Sequence, residues 1–135
     1  MATIDQIRAA IRTRLKTIPN LRVPERVPDT IDPDTAVVRY AGTTFDTTMS
    51  RGSDDQTYIV QVFTTRASDR GQDALYKYCD GSGDRSVKVA MEADPTLGGL
   101  VMDASVTEVR EPGTAKPAEV VFYSVEIVIT VSVAP

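Results

Sequence analysis

The chemistry open to this chain is bounded by what it lacks: its 135 residues include no histidine and a single cysteine, Cys79. That removes Ser-His-Asp and Cys-His nucleophiles, imidazole acid–base work and histidine metal ligands. Carboxylates, lysine and backbone amides remain. Asp54-Asp55 and the Glu92/Asp94 pair are the acidic clusters that could hold a divalent cation. Each offers too few hard oxygen donors for calcium, which takes about six to eight, and neither sits in an EF-hand loop. Gly81-x-Gly83 ahead of a helix looks superficially like a phosphate cradle, but it lacks the Gly-x-x-x-x-Gly-Lys-Ser/Thr pattern and follows a helix rather than a strand. Asp84 would repel a phosphate at that place. Cys79 can form neither an intrachain disulfide nor a multi-cysteine metal site, and its spacing puts it on the apolar side of a helix as a small core residue. These residues predict no enzyme, with no catalytic group, no cofactor and no metal.

What remains for function is charge and surface. Net charge is −4, but residues 1–26 carry +4 and the other 109 residues −8. Arg8, Arg12 and Lys16 recur at i, i+4 and i+8 on one helix face, a row that suits the acidic body of another copy or partner. The simpler alternative is a solvated helix face. Arg51, Asp54 and Asp55, in the polar stretch Gly42–Gln56, form a second candidate contact; that stretch reads as a long hairpin or a mobile loop. An acidic chain without tryptophan, and without interleaved aromatic and basic residues, is a poor reader of nucleic acid. No apolar run approaches the ~20 residues that cross a bilayer. Arg8, Arg12 and Arg14 interrupt any signal-peptide core, so folding in a reducing cytoplasm is expected.

These residues must be carried by a fold, and the patterning outlines one domain over residues 1–135. Thr3 and Gln6 fit a capping box, and Ile4, Ile7, Ile11, Leu15 and Ile18 then repeat near the helical period until Pro19. Four prolines between residues 19 and 33 make the next stretch extended and irregular. Strands are expected at Val37–Tyr40, Gln56–Thr65, Leu100–Arg110 and Glu119–Val133, with Glu111–Pro117 as a loop. Asp69 with Gln72 reads as a second capping box, opening a helix that carries Leu75, Tyr78 and Cys79 on its apolar side. From Val121 to Val133 every odd position is apolar, the mark of a strand with one buried face. At ~3.3 Å per residue it spans about 40 Å, against a diameter of roughly 35 Å for a globule of this size. It must bend at a bulge, or its end must pair outside the subunit. An exposed apolar edge of that length calls for a partner. The fold class is α+β: a mostly antiparallel sheet, with an N-terminal helix and a short helical pair over Asp69–Ala93 packed on it.

The stretch Leu75–Val106 is the most individual part of the chain. Gly81 and Gly83 are placed to turn with positive φ, Asp84 to cap the following helix, and Val87, Ala90 and Met91 to form its apolar face. Pro95 and Gly98-Gly99 then redirect the chain into a strand. Through Gly81-Ser82-Gly83-Asp84-Arg85-Ser86-Val87, Asp94-Pro95-Thr96-Leu97-Gly98-Gly99 and the strand that follows, this segment resembles the tail terminator proteins of long-tailed (siphovirus-type) bacteriophages. The resemblance covers about a quarter of the chain closely; the remainder agrees in layout.

The resemblance implies a structural virion protein at the head–tail junction, present in the host cytoplasm during assembly. It would be a hexameric ring that caps the tail tube, stops its polymerisation and offers the surface that docks the head. The implied partners are further copies of the chain, the tail tube protein and a neck or connector protein. DNA would only pass through the lumen, where an acidic lining keeps it from sticking; no membrane and no small-molecule substrate is implied. A neck, head–tail connector or tail-completion protein has similar size and layout and stands as the alternative. A small host enzyme using nucleotide or metal is the alternative from another class.

Overall fold

The computed structural model describes residues 3–18, 21–24, 35–45, 54–66, 69–115 and 122–133. The element order is α1 (Ile4–Leu15), β1 (Thr35–Thr44), β2 (Asp54–Arg66), α2 (Asp69–Cys79), α3 (Val87–Glu92), β3 (Asp103–Ala115) and β4 (Phe122–Val133). The fold is α+β, with helices beside a four-stranded antiparallel sheet of order β1-β2-β4-β3.

The first helix starts as its cap residues dictate. The Gln6 amide donates to Thr3 Oγ1 at 3.2 Å and the Thr3 amide to Gln6 Oε1 at 2.9 Å, so two orphan donors are satisfied reciprocally. Regular helix ends at Leu15, ahead of Pro19, and a tighter turn carries the chain on, with the Ile18 amide on the Leu15 carbonyl. Ile7, Ile11, Leu15 and Ile18 are buried, whereas Ile4, at the start of the stripe, is 38% exposed.

One face of the sheet makes the core. Ala36 and Val38 from β1, Tyr58, Val60 and Val62 from β2, and Val125, Ile127, Ile129, Val131 and Val133 from β4 pack with the buried residues of all three helices. The period-2 alternation of the last strand thus lies on the core face, as strand geometry requires. Alternate residues Val37, Ile59, Phe63 and Val128 are also buried, yet fall outside that cluster on the opposite face.

The position of β4 corrects the expectation that this long strand needs a partner outside the subunit. It is interior, hydrogen-bonded to β2 along one side and β3 along the other. Its length is absorbed by long neighbours and by register shifts at Phe63/Arg66, Val106/Glu108 and Arg110/Gly113. The sheet edges are β1 and β3 instead.

Other boundaries also differ from those the sequence suggests. β1 runs on through Thr44 and pairs with β2 as far as Thr44↔Asp55, so the ends of the Gly42–Gln56 stretch are hairpin ladder. Residues 46–53 lie outside the described part. The shift between Tyr40 and Gly42, with Gly42 at φ 149°, lets this polar half stay in register. β3 starts at Asp103 rather than Leu100, and it continues through Pro112 to Ala115 where a loop is expected. Proline is tolerated there because β3 is an edge strand and a bulge lies between Arg110 and Gly113. α2 begins at Asp69, which is therefore a helical residue and not the cap; the cap position 68 lies outside the described residues.

Candidate functional site

The connection from α2 to β3, which carries the family resemblance, is built almost wholly by local hydrogen bonds. Ser86, not Asp84, caps α3: its Oγ accepts the Val89 amide at 3.2 Å and donates to the Asp80 carbonyl. Gly83 supplies the turn with φ 102°, while Gly81 does not adopt positive φ. The helix thus starts one residue after Ser86 and leaves Asp84 in the turn. Val87, Ala90 and Met91 are buried on the core, as their spacing predicts. Arg14 Nε donates to the Ala90 carbonyl at 3.1 Å and fastens α3 to α1.

The Glu92/Asp94 pair is occupied by structural work. Glu92 accepts Lys88 one turn earlier. Asp94 Oδ2 accepts the Gly98 amide at 2.9 Å and Oδ1 the Thr96 hydroxyl at 3.3 Å, which organises the turn into β3. Leu97, Gly98 and Gly99 lie there at φ 50°, 71° and 90°. The leucine holds this unusual conformation with its side chain buried in the core. Among the described residues no group of three or more carboxylate or cysteine ligands could hold a metal ion.

A cavity of about 390 Å³ beside the α2–α3 turn is lined by Lys77, Asp80, Ser82, Gly83, Asp84 and Arg85. Its two cations and two anions favour neither an anionic nor a cationic ligand. Cys79 is half-buried beside the core, and burial, helped by Asp80, pushes its thiol up to about 11, so it stays protonated at neutral pH. Burial, with Tyr40 and Asp5 nearby, raises the Tyr58 hydroxyl beyond the ordinary tyrosine range; it donates to Gln56 Oε1 at 2.6 Å, and the Tyr40 ring packs edge-on at 5.7 Å.

The candidate contact residues divide. In the α1 row, Lys16 is exposed and Arg8 half-buried. Arg12 turns inward, its guanidinium donating to the Val23 carbonyl at 3.0 Å, which ties α1 to the segment behind it. The row is therefore not one uniform solvent face. Asp54 and Asp55 open β2, and Asp55 Oδ1 accepts the Ser132 hydroxyl at 3.1 Å. Arg51 lies outside the described residues.

A charged cluster lies across the sheet face opposite the core, where residue patterning does not announce it. Glu126 on β4 accepts Arg39 of β1 at 2.9 Å and Arg110 of β3 at 3.3 Å, the two arginine side chains being 50% and 42% exposed. One carboxylate shared by two guanidiniums makes the cluster itself net positive, while Asp55, Asp103 and Glu108 on the same face leave its described side chains acidic as a whole. The only signal in the sequence is Glu126 standing alone among apolar and hydroxyl residues; its partners follow from strand order, which periodicity does not encode.

No protein-family model matches this chain, and comparison with curated proteins finds no match. No helix among the described residues is long and apolar enough to cross a membrane.

Proposed function

We propose that this chain is a structural subunit of a phage tail: a tail-terminator-like protein that assembles with its own copies into a ring, caps the tail tube and presents the docking surface for the neck or connector. The observation that carries this reading is the resembling segment itself. Its turn residues build a defined unit, in which the Ser86-capped α3 and the Asp94-organised turn lead directly into edge strand β3. A surface-forming role also agrees with charges placed on exposed faces, as in the Arg39–Glu126–Arg110 cluster, rather than converging in a cleft. The mechanism is surface complementarity without turnover. Purified chain added to polymerising tube subunits should stop tube growth and remain bound at an end. Growth to unchanged lengths, with no chain retained, would contradict the reading.

A further inference from the structure

We infer that copies of this chain join head to tail through their sheet edges, β3 of one copy pairing with β1 of the next. The inference deepens the assembly reading above and rests on it, but it involves no tube protein. Every neighbouring pair in the sheet is antiparallel, and the strand number is even. The two edges therefore run in opposite directions, and a second copy that continues the sheet brings its β1 antiparallel to β3.

The register makes the two edges complementary. Arg39, Ile59, Val128 and Glu108 lie opposite one another across the four strands, in one row on one face. Continued in that register, Glu108 meets Arg39 of the next copy, an opposite-charge cross-strand pair. Both side chains are exposed. On the core face the corresponding row is Val38, Val60, Ile127 and Val109, and the adjacent one begins at Tyr40. Val109 is 40% and Tyr40 38% exposed, so each edge presents an apolar side chain that this pairing would cover. The 21–24 segment covers only the start of β1, through the Arg22↔Thr35 bridge and the Ala36 amide on the Arg22 carbonyl at 2.8 Å. Among the described residues nothing pairs with that edge beyond it. Bulges in β3 on either side of Glu108–Arg110 limit regular pairing to a short run, which restrains uncontrolled edge association.

The test uses the full chain carrying Cys79→Ser, with Arg39→Cys in one preparation and Glu108→Cys in another. Mild oxidation of the mixture, without tube protein, should give a disulfide-linked dimer containing one chain of each kind, because facing Cβ atoms across a strand pair lie about 4.5–5.5 Å apart. Absence of the mixed dimer would overturn the inference. So would a Glu108→Cys chain that links only to itself, which would mean β3 pairs with β3. A second measurement needs no oxidation: Arg39→Glu and Glu108→Arg chains should each lose self-association at low salt and regain it when mixed. Association unchanged in both single variants would overturn the inference equally. Neither result depends on tube binding, so failure here and failure of the tube-capping role are separable.

Discussion

Ser86 shows how much of this connection rests on one hydroxyl, which serves the Val89 amide and the Asp80 carbonyl from a buried position. Ser86→Ala should lower unfolding stability by about 1–2 kcal/mol, as loss of an N-cap does, whereas Asp84→Ala should stay within about 0.5 kcal/mol. Urea midpoints for the two variants check this, and equal losses would return the cap to Asp84. Both residues are good caps by type; which one serves is decided by where Gly83 ends its turn, and that is not legible in composition. Cys79 lies on the side of α2 that helical spacing assigns it, but half-buried against the core rather than within it. With its thiol raised from about 9 to about 11, the folded chain keeps a proton that the unfolded chain loses. Stability should therefore fall as pH rises from about 9 to about 11, and Cys79→Ala should flatten that part of the profile. Thermal midpoints across this window measure it; an unchanged slope in the variant would assign the loss to other groups.

Among the elements, α1 and β4 are the ones whose patterns translate directly into packing. Ile7, Ile11 and Leu15 are buried at the positions the helical period assigns, and residues 125–133 alternate onto the core face. Ile11→Ala should cost about 2–5 kcal/mol as a core truncation, while Ile4→Ala, at the exposed start of the stripe, should cost well under half of that. Chemical denaturation separates them, and equal costs would mean that Ile4 is buried as deeply as Ile11. Arg12→Glu is a poor probe of surface contacts, because it removes the tie to the Val23 carbonyl as well as reversing a charge. The misread elements share a cause. Periodicity reports which face of a strand is buried, not which strands flank it, so an interior β4 resembles an edge in need of a partner. The polar ends of β1 and β2 and the Pro112 stretch of β3 carry no alternation, yet the ladder includes them because their neighbours extend that far.

For the whole molecule, the proposed role rests on surface and assembly rather than on a pocket. The proposed contacts with other subunits rest on chain-level charge segregation and on the two sheet edges, and the connection that leads into one of those edges is the segment on which the tail-terminator proposal rests. The architecture was legible as α+β from element patterns; the charged cluster was not, because Arg39, Arg110 and Glu126 come from three separated strands. In the proposed role the chain ends a growing tube. The most direct measurement is electron microscopy of tubes polymerised with increasing amounts of the chain, scoring tube length and the density at each end. Tubes should shorten as the chain is added, and added density should appear at one end only. Tubes of unchanged length with bare ends would contradict that role.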